Sequence, residues 1–334
     1  MKIEIIGAGA LGLLFGGMLV HAGERVRFWT RTPEQSQLLN GGGFCIEQQG
    51  ATIELRPGSF TACPIDYALT EPNGEDTDWL FLMTKQRHIE RPLLQQTMKL
   101  VGPGTGILCF QNGIGHVEKV RGALPGTPVY AAITTEGAKL ADKYRVIRSE
   151  MGLTKLGYPL TADPTAVSSE KGRENRISST EHNLKTAESL AKKLTQAGFQ
   201  AILSNDIDTE IYGKLLINAA INPLTALLRV PNGDLLLSED RRQLLEQLCR
   251  ETTQIYLAHG ISCEPDPYAL VESVCRSTAG NTSSMLKDVL QGEVTEVDYI
   301  NGRLVEMANA AKIPAPGHET VWRLVRALHP ARIV

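Results

Sequence analysis

The sequence predicts an α/β domain followed by an all-α domain, and three observations carry that prediction. β-rich runs alternate with helical segments through the first half, a glycine-spaced loop joins the first run to an apolar helix, and the strand signal stops after about Asn205. The alternation starts with "KIEIIGAG", passes through the apolar "ALGLLFGGMLVHAG" and resumes at "ERVRFWTR". "DWLFLMT", "GTGILCFQNG" and "PVYAAITTEG" follow as buried-strand candidates between polar or glycine-rich punctuation. Such alternation implies βαβ units and a mostly parallel sheet with helices on both faces.

Two stretches depart from that pattern. "FCIEQQGATIELRPG" reads as an inserted antiparallel hairpin, and "RVIRSEMGLTKLGYP" as a second one. Residues 163–183 are polar and nearly free of large apolar side chains, which predicts a surface loop insertion. "LKTAESLAKKLTQAG" and "FQAILS" then add a helix and a strand to the same sheet. From "DTEIYGKLLINAAINPLTALL" to "ETVWRLVRAL" the spacing is helical throughout. The domain boundary falls at 1–206 and 207–334.

Composition narrows the function classes. With 334 residues the chain can build two cores, and 42% apolar with 21% charged residues is ordinary for a globular protein. A formal net charge of −3 argues against nucleic-acid or anionic-membrane partners. No run of eighteen apolar residues occurs, so no membrane span is expected. The N-terminus enters a strand-like run at once, leaving no basic leader or cleavage site. Cys45, Cys63, Cys109, Cys249, Cys263 and Cys275 show neither CxxC spacing nor histidine clustering. They read as reduced thiols of a cytoplasmic protein, and no metal site is expected.

"IEIIGAGALGLLF" carries Gly7, Gly9 and Gly12 in GxGxxG spacing, between a strand-like run and an apolar helix, with a second strand starting at Arg25. That context makes residues Gly7, Gly9, Ala10, Leu11 and Gly12 a dinucleotide-binding candidate and the domain Rossmann-type. At the end of the second strand an NAD enzyme usually presents Asp or Glu to the ribose hydroxyl. This chain presents "RFWTRTPEQ", with Arg31 in that region and no acid before Glu34. A guanidinium bonds a 2′-phosphate through parallel donors, which points to NADPH; the alternative is an ordinary solvated arginine.

In "YGKLLINAAINPLTALL", Lys214, Asn218 and Asn222 recur every four residues among Leu, Ile and Ala. Each residue turns about 100° around a helix, so the three form one narrow polar stripe. Asparagine disfavours helix interiors, so a mere solvent face would be better served by Glu or Lys. Two other accounts stand: buried amides that pin neighbouring backbone, or a helix lining a polar cleft with its amides aimed at a small ligand. Pro223 should end or kink the helix after Asn222, and "PNGDL" is a turn that returns Asn232 toward the same place.

Taken together, "GAGALG", "QNGIG", "KLLINAAINPLTAL", "PNGDL", "NTSSML" and "TEVDYING" resemble the ketopantoate reductase family, NADPH-dependent 2-dehydropantoate 2-reductases, over nearly the whole chain. The resemblance implies a Rossmann-type unit and a helical unit with the small-molecule substrate, ketopantoate, held between them. It implies Lys214 as the catalytic lysine with Glu296 as the carboxylate beside it. Asn218, Asn222, Asn232, Asn281 and Ser284 match substrate-contacting positions, and Lys85 and Asn112 match positions lining the cofactor. Gln111 stands where the family often has His. From the residues alone, Glu296 reads as a first-turn helix acid, Ser284 as a helix N-cap and Lys85 as a loop charge. The rivals are a same-fold reductase of another 2-keto acid and a non-catalytic NADP(H)-binding regulator. A homodimer is compatible with the apolar helical domain.

Overall fold

The structure, a computed structural model, describes residues 1–70, 76–160 and 174–328, the side chains of 174–183 excepted. The described residues divide into two compact units, 1–111, 116–160 and 174–207 in the first, 112–115 and 208–328 in the second.

In the first unit the short apolar runs become strands and the segments between them helices. In chain order these are β1 (Lys2–Ile6), α1 (Ala10–His21), β2 (Arg25–Thr30), α2 (Pro33–Gly42), β3 (Phe44–Gln48), β4 (Ala51–Leu55), β5 (Thr61–Pro64) and β6 (Trp79–Leu82). They continue with α3 (Arg91–Leu100), β7 (Gly106–Cys109), α4 (His116–Ala123), β8 (Val129–Thr134), β9 (Gly137–Asp142), β10 (Arg145–Glu150), β11 (Leu153–Gly157), α5 (Glu174–Gln196) and β12 (Gln200–Leu203). Eight strands form one sheet in the order β12-β11-β8-β7-β6-β1-β2-β5. Every neighbouring pair is parallel except β8 with β11. β1 is flanked by β2 and β6, with Ile6 opposite both Trp29 and Leu82. The strand order reverses there, so the loop after β1 opens at a topological switch point, the usual ligand position in an open α/β sheet.

A second sheet, β4-β3-β10-β9, covers α1 from the other side. α1 is therefore apolar nearly all round, and it carries two glycines where walls come close. A methyl at Gly16 would fall 2.3 Å from Phe28, and one at Gly17 would fall 2.7 Å from Ile46. The β3–β4 hairpin is antiparallel, with Phe44 opposite Leu55, as the sequence pattern predicts. The second expected hairpin is not one. β10 pairs with β9 and β3 in the small sheet, whereas β11 lies in the large sheet between β8 and β12. The turn that closes the real hairpin lies earlier: the Tyr144 N–H donates to Asp142 Oδ1 at 2.9 Å, an Asp-led turn between β9 and β10.

The loop expected over 163–183 falls outside the described residues as far as 173. From Glu174 the backbone is helical, which corrects the rest of that expectation. Residues 174–196 contain neither Gly nor Pro, so polarity there did not signal a break in the helix.

The second unit is helical: α6 (Ile207–Leu228), α7 (Glu239–Ala258), α8 (Pro267–Ser277), α9 (Ser284–Leu290), α10 (Asn301–Ala311) and α11 (Pro316–Ala327). α7 packs on α8, α10 and α11. Pro223 does not end α6: the helix runs on through Leu228. The Ala219 carbonyl, which an N–H at 223 would have bonded, instead accepts from Asn301 Nδ2 at 2.9 Å. The helix ends where Arg229 turns left-handed (φ 55°) and the Val230 N–H bonds back to the Thr225 carbonyl. By length and composition α6 could cross a membrane, but 67% of its most apolar window is buried inside the structure, the situation of a core helix.

Candidate functional site

The glycine loop of the first unit is shaped by backbone contacts. Gly7 adopts φ +110°, and a side chain there would lie 2.9 Å from the Met83 carbonyl carbon. A methyl on Gly12 would lie 1.9 Å from the Gly7 carbonyl oxygen, so only glycine lets α1 begin so close to the strand end. Gly9 is the opposite case: exposed, with nothing within 4 Å of where its Cβ would stand. It heads α1, whose first turn, with Ala10 and Leu11, carries neither a side-chain cap nor an acid. The N–H groups of that first turn have no intrahelical acceptors and stand beside the open space at Gly9, which fits a pyrophosphate.

Three bonds fix the loop. The Gly7 N–H donates to the Trp29 carbonyl at 3.1 Å. The Trp29 indole donates to the buried Glu4 carboxylate at 2.7 Å. Gln35 Nε2 donates to the Ala8 carbonyl at 2.7 Å, tying α2 to the loop. Burial raises the Glu4 pKa, against the opposing influence of Arg27 and the indole bond.

Arg31 follows β2 directly, is exposed, and makes no hydrogen bond or ion pair with any described residue. The nearby acid, Glu34, is held below the usual carboxylate range by its own backbone N–H and the Thr32 hydroxyl. Its charge is thus directed at the start of α2, where an acid is favourable. Lys85 is a half-buried, extended residue just past β6. Gln111 clamps this exit, donating from Nε2 to the Leu82 carbonyl at 2.9 Å and the Thr84 carbonyl at 2.8 Å.

In the second unit α6 presents Lys214, Asn218 and Asn222 on one side. Lys214 and Asn218 are half-buried and Asn222 is buried. Burial brings the Lys214 pKa down from 10.5 to about 8, and the Glu296 carboxylate offsets part of that fall. Glu296 precedes the short 3₁₀ turn Val297–Tyr299, so it is not the first-turn acid of an α-helix. The same turn receives Asn112's segment: the Ile114 N–H donates to the Tyr299 carbonyl at 3.4 Å, and a methyl on Gly113 would sit 2.2 Å from that oxygen.

Asn232 and Asn281 meet directly. The Asn232 N–H donates to the Asn281 carbonyl at 3.0 Å, and its side-chain amide donates to Thr278 Oγ1 at 2.9 Å. That leaves Asn232 Oδ1 as a buried acceptor with no partner among the described residues. Ser284 is not the N-cap of α9, because Ser283 takes that role by accepting from the Leu286 N–H at 3.1 Å. Ser284 is exposed at the first helical position, and Asn281 is exposed as well.

Known proteins agree over this whole span. Residues 3–160 match the family model "Ketopantoate reductase PanE/ApbA", and 206–329 match its C-terminal counterpart. A 2-dehydropantoate 2-reductase of Pyrococcus horikoshii is 31% identical over 98% of this chain and 97% of its own length. The chain belongs to the ketopantoate reductase family. Among solved structures of like fold, a probable 2-dehydropantoate 2-reductase of Bacillus subtilis shares 27% identity at a TM-score of 0.74, covering 98% of this chain and all of that one. D-mandelate dehydrogenase, solved with NADH and anilino(oxo)acetate, shares 26% identity at a TM-score of 0.83, with 98% of each chain covered.

Several residues that brace the candidate loop and helix of this ketopantoate reductase family member carry no sequence motif. Thr225 Oγ1 reaches the Ile221 and Asn222 carbonyls at 3.1 and 2.9 Å and bonds Ser283 Oγ at 2.7 Å, joining the polar stripe to the start of α9. Ser283 was findable, since a serine directly before an apolar helical run is a cap signal. Gln35 and Thr225 were not, because their partners are backbone atoms that only folding brings near.

Proposed function

We propose that the chain reduces the C2 ketone of ketopantoate to the alcohol of pantoate, with NADPH as reductant. The observation that carries this reading is an ammonium, Lys214, held between burial and the Glu296 carboxylate, on a helix that sets the amides of Asn218 and Asn222 on the same side. Curated relatives across almost the full chain, named 2-dehydropantoate 2-reductase, support the same substrate.

A bound NADPH supplies hydride to a ketone carbon, leaving negative charge on the oxygen. The Lys214 ammonium bonds that oxygen, balances the growing charge and passes a proton to it, emerging as a neutral amine that solvent reprotonates. With a pKa of about 8 it is mostly protonated at neutral pH, yet more acidic than a solvated lysine. Glu296 keeps the proton on the amine until the alkoxide forms. Amide and hydroxyl donors from Asn218, Asn222, Asn281 and Ser284 suit the substrate carboxylate without adding a cation that would compete with Lys214. Asn232 Oδ1 suits a substrate hydroxyl as donor, because it is a buried acceptor that no described residue answers.

In this reading the unit up to 206 binds the cofactor and 207–334 binds and protonates substrate. The glycine loop takes the pyrophosphate, Lys85 and Asn112 flank the cofactor, and Arg31 takes the 2′-phosphate. Six free cysteines support placement in the cytoplasm, a reducing compartment.

The likeness to D-mandelate dehydrogenase with NADH favours a second reading, an aryl 2-oxo acid reduced with NADH. Oxidation of NADPH and NADH, each with ketopantoate and with an aryl 2-oxo acid, separates the two. Ketopantoate with NADPH is expected to give the highest kcat/KM. A higher value for the aryl acid overturns the substrate assignment, and a higher value with NADH overturns the cofactor assignment.

A further inference from the structure

We infer that Asn301 is a positioning residue for the reaction proposed above: it replaces the N–H that Pro223 lacks and thereby sets the register of Glu296 against Lys214. A helical residue at 223 would normally donate to the Ala219 carbonyl, one turn past Lys214 and directly between Asn218 and Asn222. Proline has no N–H, and its ring pushes that carbonyl aside. A buried carbonyl without a partner is costly, so something must answer it.

Asn301 does so, donating from Nδ2 at 2.9 Å, and it has no exposed surface. The amide cannot be turned over, because its oxygen would then face another acceptor. Its second N–H reaches His318 Nδ1 at 3.1 Å. His318 Nε2 lies 3.1 Å from the Leu248 carbonyl and 2.9 Å from Thr252 Oγ1, so the ring proton belongs on Nε2 and Nδ1 is the acceptor. Burial keeps that ring neutral, holding its pKa near 4. Glu251 in turn accepts from the Gly317 and His318 N–H groups at 2.9 and 3.0 Å, fixing the start of α11. The amide is therefore gripped from α7 and α11 and delivered to one atom of α6.

Its place in the chain gives the grip a consequence. Asn301 opens α10 immediately after the turn that begins at Glu296. One short stretch thus carries the counter-charge of Lys214 at one end and the clamp on Lys214's helix at the other. The interruption in α6 and the placement of the carboxylate are solved by the same bond.

The test is a cycle of four proteins: wild type, Asn301→Ala, Pro223→Ala and the double variant. Each is assayed with whichever 2-oxo acid the wild type reduces, and each is melted. Asn301→Ala is expected to lower kcat about tenfold above pH 8 and only about a few-fold at pH 7, as a lysine that loses its proton about one pH unit earlier would, with KM changed less. With Glu296 displaced, the alkaline fall in kcat/KM moves to lower pH. Pro223→Ala restores an N–H toward Ala219, so removing Asn301 in that background costs less than about threefold, and the Tm losses are less than additive. Equal costs in both backgrounds, or an unmoved alkaline limb, overturn the inference. If Asn301→Ala fails to fold, the double variant decides: folding supports the pairing, and failure while Pro223→Ala folds overturns it. Should the wild type reduce no 2-oxo acid, the proposed reaction fails on that result alone, and the Tm cycle still judges the bond.

Discussion

Around Gly7 and Gly12 the candidate site is made of backbone: N–H groups at the head of α1, held open because no side chain fits between the loop and Met83. Around Lys214 the second unit's candidate site is made of side chains, an ammonium and amides standing on a largely apolar helix. The first kind of site takes its ligand-facing groups from a local run of residues, since loop and helix follow one another in sequence. The second needs distant segments brought into register, as Glu296 is with Lys214 and Ser283 with Thr225. A backbone site binds what every dinucleotide shares, whereas a side-chain site can choose one substrate and move a proton.

The most forceful way to break that division of labour is Lys214→Ala. Turnover is expected to fall by at least about 100-fold, because proton donation to a developing alkoxide is worth about 10²–10⁴. NADPH affinity, read by titrating cofactor fluorescence, should stay within about twofold, since the groups assigned to the phosphates lie elsewhere. Near-normal turnover would remove lysine as the acid. A matching loss of NADPH affinity would show that the two sites are not separable.

The same contrast decides what was legible beforehand. The strand-loop-helix beginning could be read outright, because glycine spacing and apolar runs are local consequences of sterics and burial. The polar stripe could be seen, but its meaning came from family likeness, since an amide on an apolar helix has several physical explanations. Boundary errors arose where polarity stood in for conformation, as in the stretch from Glu174 that is helical. The fate of Pro223 was hidden because its remedy, Asn301, lies on another helix. Likewise β10 and β11 look like a hairpin until the chain is seen to leave one sheet for the other at Gly152, where a methyl would fall 2.3 Å from the Thr135 carbonyl carbon.

Arg31→Ala sharpens the comparison from the other side. Arg31 is the one side chain assigned to the cofactor's 2′-phosphate in a site otherwise built largely of backbone, and it has no protein partner among the described residues to lose. A hydrogen bond to a charged group contributes about 1.5–3 kcal/mol, so the NADPH KM should rise about 10- to 100-fold. The NADH KM should stay nearly constant. Equal losses for both cofactors would mean that Arg31 acts on something they share.

The smallest effect at neutral pH, and the one that most finely tests the side-chain site, comes from Glu296→Gln. The acid form of Lys214 is required, and burial places its pKa near 8, so kcat/KM should be level below that pH and fall about tenfold per unit above it. The carboxylate of Glu296 favours the protonated amine. Its neutral amide does not, so in the variant the fall begins at lower pH. At pH 7 that costs only about a few-fold, because much of the lysine is still charged. A wild-type limb near 10.5 would mean an ammonium in open water rather than one desolvated beside its carboxylate. A limb that shifts upward in Glu296→Gln would mean that some other group, not Glu296, sustains the charge on Lys214.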